Sequence, residues 1–223
     1  MKTARMLRGV ALLVGSLVFT ACDEGLQVRF AEPFPAQAAD LLEFPARHQA
    51  VYTADDSTTS VCIGRTAVWR QELRNMTFKR DSLHHVRADT TYAENGQLHY
   101  LKLMDDGLVR DSWLATDTLF SLRGADAGKL RRFQGRYYLN ERDTDADNWR
   151  VQRLEIDGPH LSWQKFGTDT LRLLALDAAT IRYRRENGAL TSILLTPASG
   201  AQTRRVGRYA GLWETRGEYT RRR

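Results

Sequence analysis

Arg150-Val151-Gln152-Arg153-Leu154-Glu155-Ile156, followed by Asp157-Gly158 and His160-Leu161-Ser162-Trp163, alternates polar and apolar residues with period two on both sides of a tight turn. Successive strand residues point to opposite faces, so this alternation puts one face on a core and the other in water, as antiparallel sheets do. The same pattern recurs. Asn95-Gly96 joins Thr90-Thr91-Tyr92 to the run Leu98 through Leu103, Asp106-Gly107 leads to Leu108-Val109 and Trp113-Leu114, and Asn187-Gly188 joins Thr180 through Arg184 to Leu190 through Leu195. Gly64-Arg65 separates Val61-Cys62-Ile63 from Thr66-Ala67-Val68-Trp69, which predicts a hairpin with glycine at the first central position of a II′ turn. The expected class is mainly β: two related antiparallel β modules, meander or barrel-like, with one short C-terminal helix.

The two halves resemble each other. Phe44 through Tyr52 compares with Leu130 through Tyr138, sharing Gln, a small residue, a spacer and Tyr. An acidic, hydroxyl-rich loop follows each, Asp55 to Thr59 in one and Asp143 to Asn148 in the other, and Thr116-Asp117-Thr118-Leu119 recurs as Thr168-Asp169-Thr170-Leu171. This sets module boundaries at 42–129 and 130–223, with the two packed into one body. In the second module Thr196 is placed to cap a helix that starts with Pro197 and stops before Gly211, leaning on the sheet through Val206, Tyr209 and Leu212.

The N-terminus carries a different message. Lys2, Arg5 and Arg8 precede an apolar run from Val10 to Phe19, which is too short for a membrane anchor, and Thr20-Ala21-Cys22 follows. Residues 1–21 are therefore expected to be an export signal, with Phe19-Thr20-Ala21-Cys22 as the lipobox and Cys22 as the lipidated mature terminus. Residues 22–41, with prolines at 33 and 35, are expected to be an extended tether. The whole chain is formally +6; removing the signal takes away three basic residues and no acids, leaving a mildly basic protein. Its terminal Arg221-Arg222-Arg223 forms a tail rather than a groove, so nucleic acid is not an expected partner. The mature chain then holds only Cys22 and Cys62. Cys62 sits in an apolar strand-like run and reads as a small buried hydrophobe, the alternative being a Cys22–Cys62 disulfide.

The lipobox, the proline segment, the Gln-small-x-Tyr strand opening each half and Asn148 through Ile156 together resemble small lipoproteins of the Bacteroidota. The resemblance implies an envelope location, periplasm-facing or at the cell surface, attachment to a bacterial membrane through Cys22, and an all-β body. It implies no catalytic residues.

Candidate chemistry is sparse. Asp143, Asp145 and Asp147 have the alternating carboxylates that open a calcium loop, but Asn148 stands where the turn glycine belongs and Leu154 occupies the twelfth place. A solvated hairpin loop is the better reading, with calcium the alternative. His84, His85 and His99 do not have zinc-site spacing, and His48 and His160 stand alone. No nucleophile elbow, phosphate loop, zinc-protease helix or other cofactor motif occurs. Trp149 and Trp163 are expected in the core. These features point to a membrane-anchored binding or structural module rather than an enzyme; the alternatives are a lipocalin-like carrier of a small apolar ligand and, behind it, a hydrolase.

Overall fold

The computed structural model describes residues 26–82, 89–143, 147–186 and 188–222. The first half contributes β1 (Gln27–Phe30), β2 (Asp40–Leu41), β3 (Ala50–Thr53), β4 (Thr59–Ile63), β5 (Ala67–Lys79), β6 (Thr90–Glu94), β7 (Gln97–Leu103) and β8 (Leu108–Ser121). The second contributes β9 (Lys129–Phe133), β10 (Arg136–Asp143), β11 (Asn148–Asp157), β12 (His160–Phe166), helix α1 (Thr170–Leu173), β13 (Ile181–Glu186), β14 (Ala189–Leu195), helix α2 (Gly200–Arg208) and β15 (Trp213–Arg221). The chain is thus mainly β, as its alternation requires.

All these strands join one sheet, ordered β13-β14-β1-β11-β12-β15-β3-β4-β5-β8-β7-β6, with β10, β9 and β2 branching from β11. The branch exists because β11 divides one of its edges. β10 runs along one side of it, from Asn148 to Leu154, while β12 takes Gln152 to Asp157 on the other and β1 reaches it at Trp149. β1 lies parallel to β14, Val28 opposite Ile193 and Phe30 opposite Leu195; the remaining described pairs are antiparallel.

Two cores lie on opposite faces of the central strands. In β10, Tyr137 and Leu139 point into one core and Tyr138 into the other, so this strand is buried on both sides. The first core is an aromatic cluster: Phe34 packs 5.0 Å from Phe30 and 5.0 Å from Tyr138, and Trp213 lies 5.0 Å from Phe166 at 83°. Edge-to-face contacts of this kind match ring edges to ring faces. The second core joins Tyr52, Val61 and Phe120 to Leu130, Tyr137 and Leu161. Its members come from both sides of the expected 129/130 boundary, so the halves share a core and form one body.

β15 serves both cores through an irregularity. Trp163 pairs with Gly217 but Gln164 pairs with Thr215, leaving Arg216 as the extra residue. One extra residue flips the alternation. Trp213 therefore enters the first core and Tyr219 the second, and Gly217 lies so close to the Tyr219 ring that a Cβ there would collide with it.

The proline segment departs from the tether expectation. Of the expected tether, the residues from Leu26 onward belong to the described body; β1 is a full sheet member, and Phe30 and Phe34 are each 1% exposed. Buried Asn140 explains how a non-strand stretch satisfies its backbone: its Oδ1 accepts from Phe34 N–H at 2.6 Å, and its Nδ2 donates to the carbonyls of Phe34 and Lys129, each at 3.0 Å. The Arg131 guanidinium donates to the carbonyls of Pro33 and Pro35. Buried backbone groups must be paired, and here side chains of β9 and β10 do what a ladder would.

Three local expectations are refined. α2 begins after Ser199, whose hydroxyl accepts from Gln202 N–H in a capping box, three residues later than a Thr196 cap would place it. Val206 and Leu212 are buried as expected, whereas Tyr209 stays partly exposed. The C-terminal carbonyls of α2 are met by the sheet: Trp213 Nε1–H donates to Val206 O at 2.9 Å and Arg153 Nη1–H to Gly207 O at 2.7 Å, with Arg153 lying over the Trp213 ring at 4.4 Å. The hairpin between β4 and β5 forms, but Gly64 lacks the positive φ of a II′ turn; it is needed because a Cβ there would meet the Trp69 ring at 2.7 Å. Asn95 and Gly96 both take positive φ, as a I′ turn requires.

Arg136 holds Glu155 with two parallel bonds of 2.9 and 2.8 Å, and this guanidinium draws the carboxyl below its ordinary value of 4.5. A depressed folded-state value stabilises the protein fully above the unfolded value and loses that contribution as pH falls through the folded one. Glu155→Gln is therefore expected to flatten the decline in melting temperature below about pH 4.5. Melting curves against pH check this.

Candidate functional site

The second core packs Tyr52, Phe120, Tyr137 and Leu161 together, and its sheet curls without closing. Gly128 N–H donates to Ser121 O at 2.8 Å where β8 and β9 approach, but no ladder joins them. At one end of this curl lies a cleft of about 780 Å3. Its cations come from five strands: Arg29 on β1, Arg70 on β5, Arg150 on β11, Lys165 on β12 and Arg216 on β15; Glu218 is the one carboxylate in the lining. Trp163 and Tyr219 supply aromatic surface, and Leu26 and Val28 an apolar edge.

Three of the cations are partly neutralised. Arg29 pairs with Asp143 at 3.0 Å, Arg70 with Asp117 at 2.9 Å and Lys165 with Glu214 at 3.1 Å. Arg150 and Arg216 are exposed and have no carboxylate within ion-pair distance among the described residues. Arg70 keeps a further donor unused, since its Nε–H is buried without a partner. On the floor, Trp163 Nε1–H donates to Gln152 Oε1 at 2.7 Å and Gln152 Nε2–H to Glu141 Oε2 at 3.0 Å. Burial pushes the Glu141 carboxyl up, against the opposing pull of Gln152 and Arg150. Burial likewise raises the Tyr219 phenol, while Arg70 draws it back. The cleft presents excess positive charge beside an apolar and aromatic wall, the complement of an anionic group carried on an apolar or aromatic body.

A second polar cluster lies away from the cleft, where β6, β7 and β8 run together. His99 Nδ1 and Asp111 Oδ2 are 2.9 Å apart, and Tyr92 donates its hydroxyl hydrogen to the same oxygen at 3.0 Å. Trp113 stacks on the imidazole at 5.0 Å. Burial and then the Asp111 carboxylate push the Tyr92 phenol up to about 12. The partners of His99 among the described residues are thus a phenol and a carboxylate, which fasten three strands together.

The structure places the residues singled out from sequence as follows. Cys22 and Asp145 lie outside the described residues, as do His84 and His85. Asp143 is bound by Arg29 and Asp147 by Arg142 at 2.8 Å. No group of three metal-ligating side chains occurs among the described residues. Cys62 is a buried free thiol near Gln71, raised by burial, consistent with its reading as a small hydrophobe. His48 contacts the Tyr137 hydroxyl at 2.7 Å. Trp149 packs on the first core, but Trp163 belongs to the cleft as much as to the second core. Sequence reasoning missed the cleft cations because each of five strands, spread along the chain from β1 to β15, contributes a single one to the lining.

The chain matches no protein-family model, and neither the curated proteins nor the solved structures contain a significant match to it.

Proposed function

We propose that the protein is a lipid-anchored binding module of a bacterial envelope, and that the basic cleft captures an anionic ligand with an apolar or aromatic body. The observation that carries the ligand class is the pair of exposed cations without an ion-pair partner among the described residues, Arg150 and Arg216, set among three partly neutralised ones in a lining that also bears Trp163 and Tyr219. A carrier of a purely apolar molecule would leave Arg150 and Arg216 without use, whereas a phosphate or carboxylate headgroup engages them through charge-assisted bonds. The packed second core supports binding at the mouth of the curled sheet rather than inside it.

Octyl phosphate is a suitable probe, combining one phosphate with a short apolar chain. Calorimetry is expected to record saturable binding that weakens as salt is raised, because exposed charges are screened. Heat no greater than that of dilution would refute the ligand assignment. The anchor rests on the basic start, the apolar run and Thr20-Ala21-Cys22. Intact mass with detergent partitioning tests it: a diacylated chain starting at Cys22 is expected, and Cys22→Ser should leave a longer, unmodified precursor. A water-soluble, unmodified wild-type chain starting at Cys22 would overturn the anchor.

A further inference from the structure

β5 and β8 are long, paired from Ala67 opposite Ser121 to Lys79 opposite Leu108, and their distal parts carry β7 and β6 outward from the body as an arm. Strand alternation gives the arm two unlike faces. The inner face holds the His99–Asp111–Tyr92 cluster with Leu101 and Val109, all at least partly buried. On the outer face Leu73 lies opposite Leu114, and Leu98 and Tyr100 follow on β7; their exposures are 45%, 49%, 68% and 47%. Such a contiguous exposed apolar patch marks an interaction surface.

Charge on the same face identifies what covers it. Arg110 pairs with Lys102 across β8 and β7, and both are exposed beside the apolar residues. The arm's strand acids, Glu72, Glu94, Asp111 and Asp117, fall on the opposite face by alternation, and Asp81, Asp89, Asp105 and Asp106 lie outside the strands. A second copy docked on this patch would bring its own cations toward these. An anionic bilayer satisfies both features, taking Leu73, Leu98, Tyr100 and Leu114 among its headgroups while Lys102 and Arg110 meet lipid phosphates.

We infer that the outer face of the arm is a second membrane contact, which lays the protein against an anionic lipid surface independently of the lipid on Cys22.

The test uses the chain from Asp23 onward, which keeps every packed element of the described body and carries no lipid. It is expected to co-sediment with vesicles of mixed phosphatidylglycerol and phosphatidylcholine, and far less with phosphatidylcholine alone. Leu98→Asp with Leu114→Asp, and separately Lys102→Glu with Arg110→Glu, should each weaken this at least about tenfold, with unchanged melting temperature for the second pair because both side chains are exposed. The cleft variant Arg150→Glu with Arg216→Glu should retain vesicle binding, so failure at the cleft and failure at the arm are distinguishable. Undiminished binding by both arm variants would overturn the inference. So would binding to neutral vesicles as tight as to anionic ones, or a concentration-dependent dimer abolished by Leu98→Asp with Leu114→Asp.

Discussion

Phe34→Ala is expected to destabilise the protein by about 3–5 kcal/mol, a large fraction of the total stability of an ordinary domain. The phenyl ring is 1% exposed and sits among Phe30, Tyr138 and Trp213, so its removal leaves a cavity lined by rings that cannot collapse without giving up their mutual packing. Phe34 also has both backbone polar groups bonded to Asn140, which holds the surrounding chain in place and limits relaxation. A tether would be indifferent to the same change. Urea unfolding measures the difference: a midpoint within error of wild type would mean that residues 30–41 contribute no packing.

The second large effect belongs to the cleft. Arg150→Glu combined with Arg216→Glu is expected to weaken octyl phosphate binding at least thirtyfold, about 2 kcal/mol. The remaining cations are partly spoken for by Asp143, Asp117 and Glu214, so these two carry most of the unbalanced charge. Both are exposed, and their reversal should leave the melting temperature nearly unchanged, which separates loss of binding from loss of fold. Calorimetry on the double variant reads the affinity directly. Binding equal to wild type would place the ligand elsewhere.

The hairpin pattern was legible because alternation and turn chemistry agree locally. Asn95-Gly96 takes the positive φ pair its residues favour, and β11 with β12 turn at Gly158 as the opening stretch implies. What local pattern could not convey was long-range use of the same residues. Thr116-Asp117-Thr118-Leu119 lies within β8, where Asp117 bonds Arg70, while Thr168-Asp169-Thr170-Leu171 enters α1, where Asp169 caps the helix. One tetrapeptide serves two structures because different partners reach its aspartate. The proline segment read as a tether since prolines deny it a ladder; that Asn140 and Arg131 replace the ladder is written more than ninety residues away. The hairpins of the arm were legible, but the distal part of β5 was hidden, as the mostly polar run from Arg70 to Thr77 is exposed over much of its length and lacks the alternation of a half-buried strand. The cleft needed the sheet order, since only that brings β1, β5, β11, β12 and β15 around one space.

Nuclear magnetic resonance mapping of an octyl phosphate titration tests most directly the proposed capture of an anionic ligand in the cleft, because it reports the place of binding as well as its strength. The expected result is perturbation concentrated at the Trp163 indole N–H, the Arg70 and Arg216 side-chain N–H groups and the backbone amides of residues 26–29 and 216–219, all of which belong to the cleft lining. Perturbations confined to the outer face of the arm, at Leu98, Tyr100 and Lys102, or none at saturating probe, would contradict it.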